Sequence, residues 1–239
     1  MLYTSQLCSR KSDILSALTT RSYGKYCGLA HALELVGERW ALVLVSDLIR
    51  GPKRFTDLQR GQPRIPSNVL SSRLKELEDA GVVRRRVLPR PASGVGYELT
   101  EYGRELEDIV LRLGLWGAQS MPDPRPDDIA TVDTVFLALR STFRPEAARG
   151  LRAGYELRLG EIVVHARVDD GTLEVDEGPL ADPDLVIETD MSLHALLTGE
   201  LDPAEALKNG IVNITGKRDL FKRFVDIFHI PAVPMAIPG

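Results

Sequence analysis

Cysteine is nearly absent: Cys8 and Cys27 are the two thiols in 239 residues. That excludes the disulfide framework of a small secreted scaffold and makes a reducing, cytoplasmic setting the expectation. No apolar run approaches the length of a membrane span, and the first residues lack the basic, apolar, small-residue order of a secretion signal, so no membrane partner is expected. Histidine is as sparse. His31, His165, His194 and His229 are scattered, with no glycine-rich phosphate loop and no nucleophile elbow, so no catalytic constellation forms and an enzyme is not expected. Cys27 and His31 supply at most two metal ligands with no second cluster, and neither a metal nor a cofactor is expected.

What the chain does have is an ordinary globular composition, 44% hydrophobic and 27% charged, at a length that suits one large or two small domains. The net charge of −4 hides an asymmetry. Residues 1–121 hold 18 Lys/Arg against 13 Asp/Glu, a balance of +5, whereas residues 122–239 hold 12 against 21, a balance of −9. Duplex DNA would repel the second half, which is therefore expected to face away from it.

The cationic excess is concentrated between Arg50 and Arg90, where 11 Lys/Arg meet 4 Asp/Glu. Within that stretch Phe55 and Leu58 lie one helical turn apart, and Gly61 ends the short helix they imply. After a turn at Gln62-Pro63-Arg64, a second helix starts at Ile65-Pro66, with proline where its missing N–H costs nothing, and stops at Gly81. Leu70, Leu74 and Leu77 make its buried stripe. The opposite side carries Asn68, Ser72 and Lys75, with Ser71 beside them: short polar groups that let a backbone approach base edges in a major groove. Then Val82–Leu88 and Val95–Leu99 read as the two strands of a β-hairpin joined by a loop that contains Arg90. Helix, turn, helix and cationic hairpin together predict a winged helix-turn-helix. Asn68, Ser71, Ser72 and Lys75 are its candidate base-reading residues. Arg64, Arg84, Arg85, Arg86 and Arg90 are its candidate phosphate or minor-groove contacts. Successive residues of a strand alternate faces, so the Arg84–Arg86 triplet cannot point all three guanidiniums at DNA, and Arg73 sits near the buried edge.

Several of these runs resemble the HxlR-type branch of bacterial transcription regulators: Val36-Gly37-Glu38-Arg39-Trp40, Arg50-Gly51-Pro52-Lys53-Arg54-Phe55-Thr56-Asp57-Leu58, Leu70 through Gly81, and Tyr97 through Gly103. The resemblance covers roughly residues 23–120 and implies a DNA-binding regulator, more commonly a repressor, partnered with double-stranded DNA. It departs at Cys27, followed here by Gly28 where that family usually has proline. Members that sense oxidants or electrophiles use a cysteine at this place. In this chain Cys27 stands at the expected start of a helix, where partial positive charge favours a thiolate, with His31 one turn on. Redox sensing by Cys27 and His31 and a buried, inert cysteine beside a hydrogen-bonded histidine are both open readings.

Around this unit, residues 1–22 read as an arm with a short helix near Lys11–Thr20, and Glu38–Ile49 as a strongly apolar core helix. After the hairpin, Thr100 caps a long helix with Leu106, Ile109, Val110, Leu113 and Trp116 at helical spacing. That stripe needs a partner surface. A homodimer supplies one and sets two recognition helices about 34 Å apart; internal packing of Trp116 is the other solution.

Three prolines among charges in residues 122–127 mark a semi-rigid linker between a domain at 23–121 and another at 128–239. The second domain mixes helices at 129–139, 192–198, 203–207 and 219–228 with strands at 154–159, 161–167, 172–177, 185–189 and 211–215. Its runs Pro183–Thr189, Leu196–Pro203 and Ile211–Gly216 resemble a sterol carrier protein type 2-like domain over roughly residues 128–230. The whole is thus expected to be an α+β chain, a winged helix-turn-helix followed by an antiparallel-rich sheet with helices. The second resemblance implies an apolar tunnel for a small effector, for which Phe136, Leu196, Leu197, Leu207, Phe221, Phe224, Val225 and Phe228 are the candidate lining. The same residues could equally fill a closed core.

Overall fold

The computed structural model describes residues 22–89 and 94–233. Arg90 and the helix expected near Lys11–Thr20 fall outside the described residues. The chain divides into two compact units, Met1–Val110 and Leu111–Gly239.

The first unit runs α1 (Gly28–Val36), α2 (Ala41–Ile49), β1 (Lys53–Arg54), α3 (Phe55–Gly61), α4 (Ser67–Asp79), β2 (Val83–Leu88), β3 (Gly94–Leu99), α5 (Glu101–Arg104) and the start of α6 (Glu107–Ala118). Helix α2 begins at Ala41 rather than Glu38, because Trp40 holds a left-handed backbone (φ 80°) at the cap. Its Leu44, Val45 and Leu48 are buried, as are Leu58 of α3, Ile65 of the turn and Leu70, Leu74 and Leu77 of α4. Each such leucine stabilises the fold by about 1.5–3 kcal/mol relative to exposure. The sheet order is β1-β3-β2, antiparallel throughout. β1 was not foreseen, since two residues are too few for an alternation to register.

Thr100 caps α5 as expected, its Oγ1 accepting the Gly103 N–H at 3.0 Å and donating to the Gly81 carbonyl at 2.6 Å. Gly81 itself takes the left-handed conformation that ends α4. A Cβ on Gly103 would sit 2.0 Å from the Val82 carbonyl oxygen, so only glycine lets α5 close on the start of β2. The long helix expected after Thr100 is instead two, α5 and α6, and its apolar stripe divides: Val110 is buried, whereas Ile109 (56%), Leu113 (45%) and Trp116 (69%) stay exposed.

The second unit holds the end of α6, α7 (Val132–Thr142), β4 (Arg152–Leu159), β5 (Ile162–Asp169), β6 (Thr172–Glu177), β7 (Leu185–Thr189), α8 (Leu193–Thr198), α9 (Pro203–Lys208), β8 (Asn213–Gly216) and α10 (Asp219–Ile227). Its sheet order is β6-β5-β4-β7-β8, with β4 and β7 parallel and the other pairs antiparallel. Leu115 and Ala118 of α6 pack on the core of this unit, and His194 on α8 bonds the Ala118 carbonyl at 2.9 Å. The two compact units thus divide within α6, between Val110 and Leu111.

The residues expected to line a tunnel gather in and around one core cluster. Leu196, Leu197, Phe221, Phe224 and Phe228 are buried in the core, and Phe136, Leu207 and Val225 pack against the same cluster. Ring contacts tie it together: Tyr155–Phe224 at 5.4 Å, Phe224–Phe228 at 4.7 Å and Phe143–Phe228 at 5.6 Å. Tilted rings at these separations pack favourably, as aromatic pairs in cores do.

Candidate nucleic-acid interface

Two part-buried polar contacts hold the turn between α3 and α4. The Gln62 amide donates to Asp47 Oδ2 at 3.0 Å from the turn to the buried carboxylate on α2, and the Gln59 amide donates to the Ile65 carbonyl at 2.7 Å. At the start of α3 the Asp57 carboxylate accepts the Arg54 N–H at 3.2 Å. These residues were not singled out from the sequence; a lone acid inside the apolar run Ala41–Ile49 was the available signal for Asp47.

Helix α4 has the expected polarity. Its leucine stripe is buried and Asn68, Ser71, Ser72 and Lys75 are all exposed. Ser71 Oγ donates to the Ser67 carbonyl at 2.9 Å, Ser72 Oγ to Glu76 Oε1 at 3.1 Å, and Lys75 Nζ pairs with Asp79 Oδ2 at 3.1 Å. Solvated pairs of this kind are worth about 0–1 kcal/mol, so a phosphate can take the lysine over. Arg64 is exposed in the turn just before α4. Arg73 is different: mostly buried, it contacts Glu76 and reaches Glu38 at 3.6 Å, which makes it a fastener between α4 and the segment before α2.

On the wing, strand alternation separates the three arginines as anticipated. Arg84 and Arg86 share a face and both grip Glu98, Arg84 Nε donating to Oε1 and Arg86 donating to Oε2, each at 2.8 Å. Arg85 lies on the other face, 3.3 Å from Glu78 of α4 and 5.9 Å from the centroid of the Tyr97 ring. Glu98 is 3% exposed. Hydrogen bonds from Arg86 and then Arg84 hold its carboxyl below the usual carboxylate range, against burial that pushes it up. Glu98 was missed because its role depends on register: it stands directly across from Arg84 in the β2–β3 pair. A second omission is Arg60, exposed at the end of α3 and 3.7 Å from Asp57.

Cys27 is a free, exposed thiol at the N-cap of α1. Cys27 is therefore not the buried cysteine of the alternative reading. Backbone N–H groups of Ala30 and then Leu29 lower its pKa. His31 turns to Glu34 Oε2 at 3.4 Å. Among the described residues no group of three or more His, Cys, Asp or Glu could hold a metal, and no helix is long and apolar enough to cross a membrane.

A family model for the HxlR-like helix-turn-helix matches residues 35–124, which takes in α2, α3, α4 and the wing. The HTH-type transcriptional regulator YdeP of Bacillus subtilis (strain 168) is 37% identical over 91 residues, 38% of this chain and 71% of that relative. YtcD of the same organism, likewise an HTH-type transcriptional regulator, is 43% identical over 86 residues, 36% of this chain and 68% of that relative. Among solved structures, the redox regulator HypR in its oxidized form is 38% identical, with a TM-score of 0.38 and a match over 40% of this chain and 99% of that one. The relatives are named as regulators, not as enzymes.

Proposed function

The chain belongs to the HxlR-like helix-turn-helix family, and from that premise we propose that it is a DNA-binding transcription regulator, a repressor acting as a homodimer. The observation that carries this reading is the exposed face of α4. Its short polar side chains stand at the N-terminal half, and its acids are confined to the C-terminal half, where they pair with Lys75 and Arg85. Asn68, Ser71 and Ser72 read base edges in this account, while Lys75, Arg64 and Arg85 take phosphates. Arg84 and Arg86 present a pair of guanidiniums at a spacing set by Glu98. Arg90, outside the described residues, adds one more cation to the sequence between the two wing strands.

Dimerisation is supported by the unpaired apolar side chains of α6, Ile109, Leu113 and Trp116. They recur at four- and three-residue spacing and so form one stripe. A two-fold axis through that stripe gives each half-site one recognition helix. The second unit is read as a sterol carrier protein type 2-like domain, from the resemblance of its runs Pro183–Thr189, Leu196–Pro203 and Ile211–Gly216, carrying effector sensitivity. The exposed, acidified thiol of Cys27 is a second input, for oxidants or electrophiles.

A salt-titrated mobility-shift assay on duplex DNA tests the reading. Affinity falls linearly on a log–log plot, and each phosphate contact steepens the slope by about 0.9. Lys75→Ala flattens that slope, whereas Asn68→Ala leaves it unchanged and relaxes base preference. Binding that ignores salt, or an Asn68→Ala protein with unaltered sequence preference, overturns the assignment of α4.

A further inference from the structure

A groove of about 440 Å³ opens in the second unit, where Phe143 and Arg144 at the end of α7, His229 and Pro231 near the end of the described chain, and Leu115 of α6 converge. None of the eight residues in and around the closed core that sequence reasoning offered as pocket lining borders it. We propose that this groove binds an amphipathic monocarboxylate, a small acid with an aliphatic or aryl body. The carboxylate would lie on Arg144 and the body between Leu115, Phe143 and Pro231.

Size and chemistry both point to this class. Sites for small organic molecules run to about 300–1,000 Å³ and are mostly apolar, with a few convergent polar groups. Here the donors that face the space are of one kind. Ser141 and Thr142 spend their hydroxyl protons on the Ala138 carbonyl, at 3.1 Å and 2.7 Å. What is left to meet a ligand is the guanidinium of Arg144 and the imidazole of His229. A neutral polyol would find too few donors there, and an amine would face a cation.

Arg144 Nε contacts Glu146 at 3.3 Å, with both side chains largely exposed. A solvated pair like this contributes about 0–1 kcal/mol, so a ligand carboxylate in bidentate contact can replace it. The rim is also preformed, because Arg144 N–H donates to the Ile227 carbonyl at 2.8 Å and His229 N–H to the Thr142 carbonyl at 3.0 Å. Little ordering of backbone is then needed on binding. Leu115 lies on α6, the helix that begins in the first unit and ends in the second. A ligand against it bears on that helix, and this coupling, though not the binding, rests on the regulator reading.

Titration calorimetry of the full chain with decanoate, decan-1-ol and decyltrimethylammonium tests the site without DNA, so its failure is separate from failure of the regulator reading. Saturable binding of decanoate near one per chain is expected, with weaker binding of the alcohol and none of the cation. Arg144→Gln should weaken decanoate by about tenfold, the lower end for losing a hydrogen bond to a charged group, and Arg149→Gln should leave it unchanged. Equal binding of acid and alcohol, an Arg144→Gln protein indistinguishable from wild type, or no saturation at all overturns the proposal. So does an isotherm that appears only when residues 234–239 are removed, which would assign the groove to the chain's own end.

Discussion

Replacing Glu98 by glutamine gives the most informative perturbation of the wing. The buried carboxylate receives one 2.8 Å hydrogen bond from Arg84 and another from Arg86. An amide of the same shape keeps one acceptor and turns an N–H₂ toward the second guanidinium. A hydrogen bond to a charged group is worth about 1.5–3 kcal/mol, and two are compromised. Both arginines, however, are more than half exposed, at 65% and 51% of the side chain, and water recovers much of their solvation. The expected net loss is therefore about 1–2 kcal/mol at pH 7.

Urea unfolding of the first unit, followed by Trp40 fluorescence in a Trp116→Phe background, would read this as a midpoint lower by about 1 M for a slope near 1.5 kcal/mol per M. The pH dependence supplies a sharper check. Because the folded pKa of Glu98 is depressed, its contribution is fully present above the unfolded value of about 4.3 and is lost as pH falls through the folded value. The gap between wild type and Glu98→Gln should therefore hold from pH 7 to about 5 and close progressively below about pH 4. A gap of equal size at pH 7 and pH 3, or none at pH 7, would refute the clamp.

Three further outcomes are expected. Phe224→Ala should destabilise the second unit by about 3–5 kcal/mol, because its ring touches Tyr155 and Phe228 in a closed core; a loss under about 1 kcal/mol on thermal or urea unfolding would mean that the residue faces open space. The double change Leu113→Ser, Trp116→Ser removes two of the three exposed apolar side chains of the α6 stripe and, on the proposed dimer, should convert dimer to monomer in sedimentation at fixed concentration, with folding intact by circular dichroism; an unchanged sedimentation coefficient would refute an interface at this stripe. In a Cys8→Ser background, alkylation of Cys27 should rise with pH about a midpoint below the ordinary thiol value of about 8.5, since backbone N–H groups of α1 favour the thiolate. A midpoint at or above that value would remove the basis for oxidant sensing.

Much of the local architecture is dictated by residue order alone. Leucines at 70, 74 and 77 and glycine at 81 specify which side α4 buries and where it stops, because caps and periodicity act over a few residues; proline at 66, expected as its first helical residue, is instead the extended N-cap before Ser67. The strands 172–177 and 185–189 are recovered to the residue for the same reason. Charge placement is equally local, so the cationic character of 50–90 needed no structure.

What tertiary structure decided is everything that depends on partners distant in the chain. Strand register put Glu98 between Arg84 and Arg86 and sent Arg85 to Glu78. Packing gathered Leu196, Leu197, Phe221, Phe224 and Phe228 into one buried cluster and opened a groove at Leu115, Phe143 and Arg144. Hydrophobicity says that a side chain leaves water, but not whether its new neighbours leave a void. That is settled only when the elements close on one another.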